Sequence, residues 1–210
     1  FDAVTSPVVK GYILKANQGT QDGLVAVDGT SVVASTNLTE TSKNQNVNVV
    51  YTKLGSWIPK VPDGVTPPTG TNITPIPYPN DPDDPTKPKN PEYPETPGGN
   101  ETPGTPEKPT PPVIPYVPGY TPKIGEEPLK PVDPNNPENG YKVPPVPETP
   151  GKDTPITYGA NPQKALVKVV NVKGEGENKT ETPLTDDYVN INGKTGDQIP
   201  TESVTAKIAE

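Results

Sequence analysis

Pro109-Thr110-Pro111-Pro112 and Pro144-Pro145-Val146-Pro147 are dense points of a segment, residues 61–157, around which the rest of the chain is read. Of the 34 prolines, 30 fall between Pro59 and Pro155. Proline fixes φ and has no backbone N–H, so it cannot feed a sheet ladder or a helix interior. It also pushes the preceding residue into extended geometry. Residues 59–157 are therefore expected to be a coreless spacer or stalk biased to polyproline II. Fully extended, 61–157 reaches up to roughly 300 Å, less where glycines such as Gly98-Gly99 act as joints.

Composition supports a chain that is not compact throughout. Apolar residues make up 28% of its 210 residues, and adding its 19 glycines still leaves it below the 45–50% usual for globular domains. Net charge is −8, and every basic residue is a lysine. A nucleic-acid interface normally shows a basic, arginine-rich face, so that class is set aside. No apolar run approaches the 18 residues of a membrane span. The absence of cysteine excludes a disulfide framework and thiolate metal sites. With no starting Met and both ends stopping in mid-pattern, the chain is read as part of something longer.

The flanks read as β. Val8 to Leu14 is a predicted strand. Leu24-Val25-Ala26-Val27 and Thr30-Ser31-Val32-Val33 enclose Asp28-Gly29, a type I′ hairpin signal. Residues 37–46 are a predicted loop, and Val47 to Thr52 a strand with Val47, Val49 and Tyr51 on one face. Trp57, beside the first proline of the segment, is expected to pack back on the sheet rather than stack on a ligand. After the segment, Lys164 to Val172 is a predicted strand and Lys173 to Pro183 a turn. Leu184 to Ile191 is its hairpin partner, with Tyr188 and Val189 near the centre. Asn192 to Gly196 is a second turn, and a helix is predicted to start at Ile199-Pro200 with Val204 and Ile208 on one face. Within the proline segment, residues 75–112 are of low complexity. Residues 113–157 carry tyrosines and valines (Tyr116, Tyr120, Tyr141, Val113, Val117, Val132, Val143) that fit either plain linker or a collar docked on the following block.

Candidate chemistry is sparse. There is no His, no Cys and no Gly-x-Ser-x-Gly, so no base–nucleophile pair of the usual kinds is assembled, and a non-catalytic role is expected. Asp81, Asp83 and Asp84, and Glu175 with Glu177, are acidic clusters read as solvated loop charge, since Pro82 and Pro85 break any Ca²⁺ cage. No catalytic residue, metal site or cofactor is assigned, and the binding residues are left open. Thr66-Pro67-Pro68-Thr69-Gly70 has part of a sortase signal without the apolar span that must follow, and is read as linker. Asn37, Asn72, Asn100 and Asn178 form sequons that matter only in a eukaryotic secretory setting.

Strand, hairpin, strand, helix is how a β-grasp (ubiquitin-like) module opens. Asp153-Thr154-Pro155-Ile156-Thr157-Tyr158, with the strand after it and Gly193-Lys194-Thr195-Gly196-Asp197, resembles the opening of a mucin-binding (MucBP-type) repeat of lactobacillal mucus-binding proteins. Ser6-Pro7-Val8-Val9-Lys10-Gly11-Tyr12 and Val47-Asn48-Val49-Val50-Tyr51 resemble the closing half of such a repeat. Val117-Pro118-Gly119-Tyr120-Thr121-Pro122 and Pro131-Val132-Asp133-Pro134 resemble the joints between repeats. The resemblance implies a β-rich or α+β chain. Residues 1–58 end one β-grasp module, 59–157 space it, and 158–210 begin the next. It further implies a cell-wall-anchored bacterial surface adhesin whose tandem, individually monomeric modules bind host mucin glycoproteins multivalently, with no membrane insertion. Surface adhesins of this kind sometimes cross-link Lys to Asn beside a buried acid, and the sequence offers candidates in every strand. The rival reading is a wall-spanning stalk with no ligand of its own. A proline-rich ligand for SH3- or WW-type domains is weaker, because the tract is net acidic and its basic residues are lysines only. A eukaryotic extensin-like or mucin-like wall protein remains a structural rival.

Overall fold

In the computed structural model of the chain, the described residues are 2–21, 25–34, 39–41, 46–93, 110–174, 176–184 and 189–199. They are β-rich, with two short 3-10 turns, Pro137–Asn139 and Gly176–Asn178, as their only helical elements. No helix among them is long and apolar enough to cross a membrane.

The centre is a five-stranded sheet built largely from the proline-rich segment. Its strands lie in the order Glu127–Pro128, Tyr120–Ile124, Thr154–Ala160, Ser56–Lys60, Ile76–Pro77. Neighbours are antiparallel except one pair. Thr154–Ala160 runs parallel to Ser56–Lys60, with Thr154 opposite Trp57 and Thr157 opposite Lys60. Along Thr154–Ala160 burial alternates: Thr154, Ile156 and Tyr158 are buried, Pro155 and Thr157 exposed, the period-2 pattern of a strand with one face on a core. That core gathers Leu54, Trp57, Tyr78, Ile114, Val117, Tyr141, Val143, Ile156 and Tyr158. Trp57 is fully buried, edge-on to Tyr78 with ring centroids 4.7 Å apart.

Residues 59–157, expected to be coreless, thus supply most of the core, and 56–93 with 110–160 fold rather than extend. Two physical facts reconcile the prolines with a sheet. First, Pro59 and Pro155 stand where one side of the strand has no ladder partner. Pro155 lies where Thr154–Ala160 meets only Ser56–Lys60, because the pairing with Tyr120–Lys123 begins at Thr157. Pro59 lies beyond Ser56 and Trp57, the two residues that meet Ile76–Pro77. Second, proline has little conformational freedom to lose on folding, so few aromatic and aliphatic anchors suffice. The Tyr/Val collar over 113–157 is real in this sense, but it packs on Trp57 and Tyr78.

The flanks are thinner. Val25–Asp28 and Ser31–Ala34 form the expected hairpin, with Asp28 opposite Ser31. The loop residues are Gly29 and Thr30, one step on from the predicted Asp28-Gly29. Of these only Gly29 has positive φ, +55°, and glycine at the first loop position is the pattern of a II′ turn, not I′. The predicted strand at 47–52 is shorter, Tyr51–Lys53, paired with Tyr12–Leu14. Upstream of it, Gln21 and Gln18 side-chain amides replace a neighbouring strand: each both donates to and accepts from the backbone, at Asn48 and Val50 respectively. After the core, the predicted strand 164–172 is two, Pro162–Val167 and Val170–Lys173. The second pairs with Thr180–Pro183, a strand inside the predicted turn 173–183. The first pairs with Val189–Lys194, so Asn192 to Lys194 are strand and the turn moves to Thr195-Gly196. The predicted helix beyond Ile199, and Tyr188, lie outside the described residues.

Candidate functional site

The polar groups of the core are spent on architecture. Three tyrosine hydroxyls tie distant stretches of the proline-rich segment together by donating to backbone carbonyls. Tyr78 donates to Lys152 O (3.0 Å) and lies 2.6 Å from Thr154 Oγ1. Tyr93 donates to Pro112 O (2.6 Å) and accepts from Val143 N–H (2.8 Å). Tyr158 donates to Pro115 O (2.7 Å). Carbonyls left without a ladder donor are natural acceptors in such a segment, and a phenol carries its own apolar anchor with the donor. Burial holds these hydroxyls above the usual tyrosine range, Tyr158 most strongly, with Tyr141 beside it adding to the effect. They are structural donors rather than proton-transfer groups.

The acidic cluster folds on itself. Asp81 Oδ1 accepts from Asp83 N–H (3.0 Å). Asp84 Oδ1 accepts from the Thr86 N–H and hydroxyl (2.9 and 2.6 Å), and its other oxygen meets Lys87 Nζ at 2.9 Å. These bonds, Thr86 first and then Lys87, lower the Asp84 carboxyl to about 2. The cluster is a self-capped turn. Among the described residues no group of three His, Cys, Asp or Glu is placed to hold a metal ion. Glu175 lies outside them, and Glu177 is exposed. Among the same residues the buried polar ones are Ser6 and Thr154, so no acid is buried there beside a lysine–asparagine pair. Thr66, Thr69 and Gly70 are exposed, with a turn bond from Thr71 N–H to Pro68 O (3.0 Å).

What remains is surface. Where the N-terminal flank meets the core, an open cleft of about 910 Å³ runs between Val8–Tyr12 and Tyr78–Pro82. Asn80 fixes its floor, accepting from Gly11 N–H (2.8 Å) and donating to Tyr12 O (2.6 Å). Its amide is therefore committed to the fold. At the rim, Tyr12 stands directly opposite Lys53 across the strand pair, so the two side chains share a face, and Lys10 is nearby in the same lining. Tyr12 is 42% exposed. An exposed phenol ring that lines a cleft with two lysines can stack on a sugar face while the lysines attract an acidic substituent. The sequence alone does not point to this trio, because Tyr12 and Lys53 meet only through register. Trp57, the obvious aromatic in the sequence, is inaccessible.

Comparison of the chain with protein-family models, curated proteins and solved structures finds no match.

Proposed function

We propose that this chain is a non-catalytic segment of a bacterial cell-surface adhesin that spaces and presents mucin-binding modules to host mucus glycoproteins. The observation that supports it best is the parallel pairing of Ser56–Lys60 with Thr154–Ala160. Because the strands are parallel, the chain enters the core at one end of the pair and leaves at the other. The N-terminal flank docks at the entering end, through Leu54 N–H to Gly11 O (2.8 Å) and Leu14 N–H to Pro85 O (2.7 Å). The C-terminal flank docks at the leaving end, through Asn161 N–H to Gly119 O (2.8 Å) and Thr195 N–H to Asn161 O (2.9 Å). A hairpin would return both flanks to one end. This arrangement puts them at opposite ends of the strand pair, which is what a joint between presented modules needs.

On this reading the flanks belong to β-grasp-type modules, the protein works outside the bacterial cell, and adhesion is multivalent. The Tyr12, Lys10 and Lys53 rim is the place to look for glycan contact. Retention on immobilised mucin, with and without sialidase treatment, tests it. The chain should be retained, and Tyr12→Ala with Lys53→Ala should release it while leaving the melting curve unchanged. Absence of retention by the intact chain would instead favour a wall-spanning stalk without a ligand.

A further inference from the structure

We propose that the Ser56–Lys60 and Thr154–Ala160 pair is a shear-loaded mechanical clamp that holds the described residues between the two strands, 61–93 and 110–153, folded under tension along the chain. The inference rests on the entry and exit of the chain at opposite ends of this parallel pair, not on any ligand.

Tension reaches the core at Ser56, directed away through residue 55, and at Ala160, directed away through residue 161. In a parallel pair those two points are at opposite ends of the register, so the pull runs along the strands in opposite senses. The cross-strand hydrogen bonds must then fail together. In a hairpin pulled at its open end they would fail one after another. The register itself is short, Thr154 to Thr157 against Trp57 to Lys60, and includes Pro59 and Pro155, which bring no N–H. Its resistance is therefore reinforced from outside the ladder. Asp153 Oδ1 accepts from Ser56 N–H (2.8 Å). Gly55 N–H donates to Pro150 O (2.8 Å). Tyr78 bridges Lys152 O and Thr154 Oγ1 while packed edge-on against Trp57. Trp57 and Ile156, one on each strand, are both fully buried, so sliding one strand past the other drags each side chain out of the same core.

While the clamp holds, the spacer is as long as the strand pair, on the order of 25 Å at about 3.3 Å per residue. If it yields, the chain between the strands adds on the order of 350 Å at about 3.3–3.6 Å per residue. The joint would be short at low load and would lengthen by one large step at high load. Such a step is set by the unfolding barrier along the pulling direction rather than by equilibrium stability.

The chain has no cysteine, so pairs of introduced thiols give unique handles for single-molecule pulling on the full-length chain. Lys53→Cys with Lys164→Cys loads the pair in shear. Lys53→Cys with Lys152→Cys attaches to the same end of both strands and peels them. All three lysines are exposed. The expected result is one discrete rupture in each geometry, releasing on the order of 350 Å, at a force several-fold higher in shear than in peeling. Because both geometries pull the same fold, a handle pair that failed to fold would show no rupture in either direction and is recognised by the loss of Trp57 burial in its fluorescence. A folded chain whose shear force is no higher than its peeling force, or which extends without a discrete step, overturns the clamp. Mucin retention is not measured, so the adhesin reading stands or falls separately.

Discussion

Tyr158 shows how one side chain can tie a proline-rich segment into a fold. Its ring lies in the core and its hydroxyl donates to Pro115 O. Burial, with Tyr141 second, raises its pKa, and Tyr78, Tyr93 and Tyr141 are shifted the same way, each chiefly by burial. A raised folded pKa means that the unfolded chain ionises first. The stability contributed is fully present below the unfolded value of about 10 and is lost as pH rises above it. Urea unfolding followed by Trp57 fluorescence should therefore give a constant midpoint up to about pH 9 and a falling one beyond about pH 10. Tyr158→Phe should cost about 1–3 kcal/mol at neutral pH, because Pro115 O loses its donor, and should make the alkaline fall shallower. A variant whose alkaline slope matched the parent's would remove Tyr158 from this account. Trp57 is the counterpart without a polar role. Its indole N–H is buried with no acceptor among the described residues, so it contributes through area and ring packing alone.

At the scale of elements, the turn before Ser56–Lys60 depends on Gly55. A Cβ built there would lie 2.6 Å from both C and O of Lys152 and 3.0 Å from Asp153 N. Those are backbone atoms of the segment leading into Thr154–Ala160, and they have no flexible end to swing away. Gly55→Ala should destabilise the chain by about 1–3 kcal/mol through forced separation of the two strand starts. Gly151→Ala makes the control, since its Cβ would sit at ordinary contact distance, 3.4 Å from Lys53 O, and should change the midpoint little. Equal midpoints for the two variants would mean that the strand starts are not so tightly apposed. Nothing in the local sequence marks Gly55. Its requirement comes from a contact with residues nearly a hundred positions away, which no local pattern encodes.

At the scale of the whole molecule, the disagreement between an extended spacer and a folded one is large enough to measure directly. Polyproline II over 61–157 would reach up to roughly 300 Å. The five-stranded sheet and its core close residues 56–93 and 110–160 into one body. Small-angle X-ray scattering on the full chain should give a maximum dimension far below that length, with a pair-distance distribution dominated by a compact body. A rod-like profile approaching 300 Å would reinstate the stalk of free polyproline.

Much was legible from residues alone. The β-rich class followed from the Val/Thr-rich runs, and the hairpin around Gly29 from a turn residue between two β-branched stretches, because both are local properties of backbone and side chain. The exclusion of a disulfide framework needed only a count. What tertiary structure alone decided was the fate of the prolines, the parallel pairing of Ser56–Lys60 with Thr154–Ala160, and the meeting of Tyr12 with Lys53. Proline density states what a segment cannot do by itself, namely fill both edges of a ladder. It does not state whether a distant strand will offer a single edge, nor whether a few buried aromatics will outweigh the small entropy such a segment loses on ordering. Those outcomes depend on contacts across about a hundred residues of chain, and their free energy exists only once the core around Trp57 has closed.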